Sequence, residues 1–304
     1  MQKAISLGRT LLSCKAFSSL ISAAGGLLLC HQAEAATLYG ATSAGGPGEL
    51  YTLNPATGAM IQDIGSLVDA FNVNYPITGL AFNPITGVLY GSTGNSVGAT
   101  AAKLVTINPL TAQVTVIGSF NTGIVNSSGT PATMADLSFD ASGNLYGVAS
   151  IGGPQLYSIN LGTGQATVIG NTGLTSTTGG GLAIGPGGYF GTPTSSRFGT
   201  YNPATGAYSN ITNPVKPVGG AYAALDFDGS GTLYGLDLGP GPDLFTELVT
   251  FNTTTGAITD LGASVSSLDA IAFQPVPEPS AIALLIALAA LRGAASLRSR
   301  KSLA

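Results

Sequence analysis

Tryptophan is absent from this chain, histidine occurs once, at His31, and cysteine twice, at Cys14 and Cys30. Charge is scarce as well: Asp, Glu, Lys and Arg make up 8% of the 304 residues. The histidine and both cysteines fall in the first 31 residues, inside a segment that reads as an export signal. Lys3, Arg9 and Lys15 give it a positive front, residues 16–29 are mostly apolar and small, and Ala33-Glu34-Ala35 supplies a small-x-small cut before Ala36. A buried N-terminal helix suits Gly25-Gly26 and the flanking charges less well. Lipoprotein attachment at Cys30 would place Leu29 where a small side chain is needed. Once residues 1–35 are removed, neither cysteine nor histidine remains. Disulfides, cysteine nucleophiles, Ser-His-Asp triads and the usual zinc sites are then excluded.

Basic residues are equally unevenly placed. Between residues 36 and 275 stand only Lys103, Arg197 and Lys216, against twelve acids, which leaves a net charge of −9. The −4 of the whole chain hides this, because most basic residues sit at the two ends. Such a surface repels nucleic acid and anionic lipid and suits soluble extracellular life.

The body repeats itself. Leu38-Tyr39-Gly40 returns as Leu89-Tyr90-Gly91, Leu145-Tyr146-Gly147, Tyr189-Phe190-Gly191 and Leu233-Tyr234-Gly235, at steps of 51, 56, 44 and 44 residues. Each copy is followed by two short β-type runs around a turn that opens on Asn54, Asn108, Asn160, Asn202 or Asn252. Asparagine bonds its own backbone in such turns, and glycine takes the left-handed exit without steric cost. Gly58, Gly164, Gly206 and Gly256 fill that exit, whereas Ala112 does so in the second copy and should be mildly strained. A further strand precedes each Leu-Tyr-Gly, and residues 80–82, 137–139, 182–184, 225–227 and 271–273 form that series. It puts large side chains on one face and small ones on the other, at the period of two of a strand.

Four strands per 44–56 residues predict an all-β, five-bladed β-propeller. The chain enters at Leu38 without the preceding strand and leaves at residues 271–273 with one unpartnered, so the two ends together complete a blade and close the ring. Over about four-fifths of the chain the pattern resembles the YVTN and NHL class of bacterial propeller repeats. A β-sandwich or a β-solenoid is the alternative; sandwiches rarely repeat five times, and solenoid coils are normally about half this length. Residues 94–102 and 118–131 are expected to form loops on one rim, where ligand contacts are most cheaply placed.

The last residues, 276–304, form a separate segment. Val276-Pro277-Glu278-Pro279 precedes an apolar stretch at 281–291, which is followed by Arg292, Arg298, Arg300 and Lys301. Eleven apolar residues are short of the roughly 20 that span a bilayer. Extension to Leu297, with Arg292 reaching a headgroup by its aliphatic stem, predicts a single transmembrane helix. The basic tail would stay cytoplasmic. A packed amphipathic helix would show a polar face, and residues 281–291 have none. This order resembles the PEP-CTERM sorting signal, over about a tenth of the chain, although its arginines are more spread than usual. The resemblance implies export through the inner membrane of a Gram-negative bacterium, transient anchoring, and processing near Pro277 and Pro279 by an exosortase. Delivery to the cell surface or an exopolysaccharide matrix would follow, with polysaccharide or surface proteins as partners.

Acids are the only candidate catalytic groups. Asp136, Asp226 and Asp269 lie in or beside the strands expected nearest the axis, and Asp226 occupies a column otherwise held by Ala81, Ser138, Ala183 and Ala272. Five-bladed propellers that cut glycans place carboxylates around the channel, one as acid and one as base or nucleophile. The competing reading has these aspartates bonding backbone amides at turns and strand ends. A glycosidase would also bring tryptophan platforms for sugar rings. Asp226-Phe227-Asp228-Gly229-Ser230-Gly231 resembles the start of a calcium loop through Asp226, Asp228 and Ser230, with Asp237 at the twelfth place instead of glutamate. The equivalent turns carry Asp140 and Asn83, which favours a plain hairpin turn. No cofactor is therefore expected, calcium being the one alternative. The sequence supports a non-enzymatic surface module, with a channel glycan hydrolase or lyase and a calcium-dependent adhesin as competing classes.

Overall fold

In the computed structural model, which describes residues 36–276 apart from 44–45, 95–99, 125–128, 130, 150–154, 175–179, 195 and 240–244, the repeats become five four-stranded antiparallel sheets. The first blade holds β1 (Leu38–Thr42), β2 (Glu49–Leu53) and β3 (Met60–Ser66). The second holds β4 (Ile77–Phe82), β5 (Leu89–Thr93), β6 (Lys103–Ile107) and β7 (Val114–Ser119). In the third are β8 (Met134–Phe139), β9 (Leu145–Ala149), β10 (Gln155–Ile159) and β11 (Ala166–Asn171). The fourth contains β12 (Gly181–Gly185), β13 (Gly188–Thr192), β14 (Phe198–Tyr201) and β15 (Tyr208–Thr212). The fifth runs β16 (Ala221–Phe227), β17 (Leu233–Leu238), β18 (Thr246–Phe251) and β19 (Ile258–Ala263).

The final strand, β20 (Leu268–Phe273), does not start a sixth blade. It pairs antiparallel with β1, Leu38 opposite Phe273 and Tyr39 opposite Ala272, and the Gln274 amide extends the ladder to the Thr37 carbonyl at 2.9 Å. The first blade is thus built from both ends of residues 36–275. The inner strands β4, β8, β12, β16 and β20 each touch the next, and β20 meets β4, so the ring is closed. This is the five-bladed propeller expected from the repeats.

Five apolar clusters fill the five interfaces between blades. One, for example, joins Tyr39, Ala41 and Leu50 of the first blade to Ile77, Leu80 and Phe82 of the second. Each interface also holds an aromatic pair with one ring from the Leu-Tyr-Gly series and, in four of the five, the other from the end of an inner strand. The centroid distances are Tyr39–Phe82 5.5 Å, Tyr90–Phe139 5.4 Å, Tyr146–Tyr189 5.3 Å, Phe190–Phe227 5.8 Å and Tyr234–Phe273 4.8 Å. These rings are cement between sheets, which explains why the motif recurs once per blade.

The Asn turns behave as their chemistry dictates. Asn54 Oδ1 accepts from the Ala56 amide and the Asn54 carbonyl from the Gly58 amide, and the other four copies repeat this. Gly58, Gly164, Gly206 and Gly256 lie at φ of +67° to +77°, and Ala112 is forced to +56°. The turns also lock neighbouring blades. Gly164 lies against the Gly118 carbonyl, Gly206 against that of Gly170, and Gly58 against that of Gly262.

A feature absent from the sequence expectations is a bulge in every outer strand. Registers slip at the same point in all five blades, leaving Ile64, Ile117, Ile169, Ile211 and Leu261 as the extra residue. The bulge turns each of these side chains onto an interface cluster. It also corrects the rim loop expected over 118–131: Gly118 and Ser119 belong to β7, where the bulge extends the strand. The described parts of that connection and of 94–102 link strands as expected.

Among the described residues there is no α-helix. The expected export signal, with Ala33 and Ala35, lies outside the described residues. So do Pro277, Glu278, Pro279, Arg292, Arg298, Arg300, Lys301 and the expected transmembrane helix. Ala36 packs beside the apolar cluster between the fifth and first blades, and Val276 is exposed.

Candidate functional site

The inner strands present one free edge to the axis, and their unpaired amides need acceptors. Asp136, on β8, meets that need across three blades. Its Oδ2 accepts from the Leu182 amide of β12 at 2.8 Å and from the Leu225 amide of β16 at 3.0 Å, while Oδ1 accepts from Leu137 at 2.9 Å. The side chain is fully buried. Burial pushes its carboxyl well above the usual carboxylate range, outweighing the three amides, and the nearby Asp226 charge adds to the rise.

Asp226, on β16, follows the same rule two residues further along. Its Oδ2 accepts from Phe273 of β20 at 2.7 Å and its Oδ1 from Phe227 at 2.9 Å. In the equivalent column Ser138 Oγ accepts from the Ile184 amide of the next blade at 2.9 Å. The position where an acid replaces alanine is therefore one where a side chain reaches across to its neighbour's edge. Desolvation in the crowded channel pushes Asp226 up to about 7.

Asp269 stands apart. It is the extra residue where β20 slips against β1 (Ala41 faces Ala270, Thr42 faces Leu268), in the column of Thr78. Its carboxyl accepts from the Ser43 hydroxyl, and desolvation lifts it to about 7. Three residues separate its column from that of Asp226, roughly 10 Å along the strand direction at 3.3 Å per residue.

A carboxyl near 7 is what a general acid requires. Here, however, both oxygens of Asp136 and of Asp226 already hold amides of the ring, and Asp269, one residue from the column of Asp136 and three from that of Asp226, is bonded to Ser43. Asp136 and Asp226 act first as acceptors for the inner edge, and Asp269 accepts from the Ser43 hydroxyl. The sequence located these residues but not the inter-blade amides that Asp136 and Asp226 serve.

The suggested calcium loop is also spent on local bonds. Asp228 Oδ1 accepts from the Ser230 amide (2.9 Å), the Ser230 hydroxyl (2.8 Å) and the Thr232 amide (2.8 Å). Asp140 caps the third blade's turn in the same way, and Asn83 does so in the second blade. Asp226 points its oxygens to strand amides instead of this turn, and Asp237 sits inside β17. Among the described residues no group of three or more His, Cys, Asp or Glu side chains is arranged to hold a metal ion.

No family model matches the chain, and no curated protein matches it either. Among solved structures it is similar to a chain of the nidogen/laminin complex, at 14% identity over 79% of this chain and 98% of that one, with a TM-score of 0.46. It is similar to TolB from Acinetobacter baumannii at 14% identity and a TM-score of 0.40, covering 75% of this chain and 52% of TolB, so it spans about half of that protein. A protein of unknown function from Bacteroides caccae matches at 10% identity over 79% of this chain and 99% of the other, TM-score 0.44.

Proposed function

We propose that this propeller is an exported, non-enzymatic interaction module, sorted by its C-terminal tail and retained at the cell surface or in the extracellular matrix of a Gram-negative bacterium. Its partners are surface polysaccharide or surface proteins, contacted through the connections at the ends of the blades. The observation that carries the non-enzymatic reading is the commitment of Asp136 and Asp226 to amides of neighbouring inner strands. An acid that closes the ring is poorly placed to leave it for a substrate. The acidic, histidine-free body supports the extracellular assignment and argues against nucleic-acid partners.

The test is sugar release from a panel of bacterial exopolysaccharides, with the same panel used for binding. Retention of a polysaccharide without new reducing ends is the expected result. Release that disappears in Asp226→Asn would establish the glycan hydrolase instead. The sorting part is tested separately, by fractionating cells that express the intact chain or a chain ending before Val276. The intact chain should be membrane-held and then processed with exosortase present, and the shortened one released unprocessed. Identical fates for both would remove the tail and exosortase from the proposal.

A further inference from the structure

The fifth blade carries an arrangement that its fold does not account for. Tyr222, Asp237 and Glu247 stand directly opposite one another on β16, β17 and β18, so their side chains share the sheet face toward the fourth blade. Two acids in adjacent cross-strand positions repel, and a sheet with no other use for them would avoid the pair. Both are deprived of water on the oxygens that matter: Asp237 Oδ1 and Glu247 Oε2 are buried without a hydrogen-bond partner. Asp237 is completely buried.

The tyrosine is an independent sign. Tyr222 is also completely buried, and its hydroxyl has no partner. Its pKa is raised by burial first and then by the Asp237 charge, and the two residues are paired across β16 and β17. A buried, unbonded hydroxyl costs about 1–3 kcal/mol. Three such oxygens thus stand at neighbouring cross-strand positions.

The segment leading into β16 closes the site from the other side. The Val218 amide donates to Asp237 Oδ2 at 3.0 Å, and Lys216 Nζ is held by the Gly220 carbonyl, close enough for its charge to act on Asp237. Asp260 acts on both acids from β19. Among the described residues the two carboxylates of the site face the ammonium of Lys216, and the exposed Asp260 adds to the negative field.

We propose that Asp237 Oδ1, Glu247 Oε2 and the Tyr222 hydroxyl form one side of a binding site for a divalent cation of the calcium class. The net negative charge calls for a cation. The donors are all oxygen, which selects a hard cation, and an irregular set from three strands suits calcium better than the strict octahedron of magnesium. Water supplies the remaining ligands. This site is distinct from the Asp228 turn, whose oxygens are taken by its own hairpin, and it is independent of what the propeller binds.

The full chain, stripped with a chelator, should gain about 5–10 °C in melting temperature with millimolar calcium chloride, and much less with magnesium or choline chloride. Glu247→Gln should abolish that gain, and Asp228→Ala should keep it. Terbium bound at the site should luminesce when excited through tyrosine, and Tyr222→Phe should quench this; with no tryptophan in the chain, no indole contributes. Tyr222→Phe should also melt higher than wild type in chelator, because the orphan hydroxyl is gone, so the variant doubles as a folding control. A wild-type shift within 1 °C of that with choline, or a shift that survives Glu247→Gln, overturns the proposal and leaves the acids as a proton-sharing pair.

Discussion

Replacing Asp136 by alanine should weaken the ring at three blades together. The side chain is fully enclosed and holds the Leu182 and Leu225 amides of the next two blades as well as its own neighbour's. Each cross-blade amide left without an acceptor costs about 1–3 kcal/mol. Part of this is offset, because a carboxyl that resists burial is removed at the same time. A net loss of about 3 kcal/mol follows. Asparagine makes the sharper comparison. Both cross-blade bonds end on the same oxygen, Oδ2, which the asparagine carbonyl can replace, while its NH2 meets the Leu137 amide and forfeits only that local bond. Asp136→Asn should therefore lose about 1 kcal/mol. Urea unfolding of the full chain followed by tyrosine fluorescence gives both values from midpoints at an unchanged slope. Alanine within about 0.5 kcal/mol of wild type, or asparagine as damaging as alanine, would refute the idea that this carboxylate fastens the inner edges.

Stability should also fall as pH rises. Asp226 and Asp269 titrate near 7 when folded, above the roughly 3.9 of an unfolded aspartate, so the folded protein binds more protons in between. Their contribution is complete below about pH 4 and is lost as pH climbs through about 7. Melting temperatures at pH 5 should exceed those at pH 8, and Asp226→Asn with Asp269→Asn should flatten the difference; an unchanged slope in the double variant counts against the assignment. Gly206→Ala should cost about 2–4 kcal/mol in the same urea assay, since φ is +70° and a Cβ would lie 2.6 Å from the Gly170 carbonyl oxygen of the third blade. Ala112→Gly, at the matching turn of the second blade, should stay within about 1 kcal/mol of wild type, because relieved strain offsets a lost buried methyl.

Much of the fold was legible because local chemistry repeats. The Asn-to-Gly turns, the Leu-Tyr-Gly strands and the missing first strand at Leu38 carry enough information to count blades and to foresee how β20 closes them. Even the strain at Ala112 could be read from one residue breaking a five-fold pattern. The outer bulges were hidden although their signal was present. A bulky residue before glycine or threonine recurs at Ile64-Gly65, Ile117-Gly118, Ile169-Gly170, Ile211-Thr212 and Leu261-Gly262, but such a pair becomes a bulge only against a partner strand.

What the sequence determined alone is whatever depends on near neighbours: turn conformations, alternation, composition, and the absence of catalytic imidazole or thiol from the body. What only the tertiary structure decided is the work of each acid. Asp136 lies 46 residues from Leu182 and 89 from Leu225, and only the closed ring brings those amides to its carboxylate. Asp237 and Glu247 acquire their unusual surroundings in the same way, through strand register and the segment folded over them. Burial and hydrogen-bond partners are properties of distant residues meeting, and no spacing along the chain encodes them by itself.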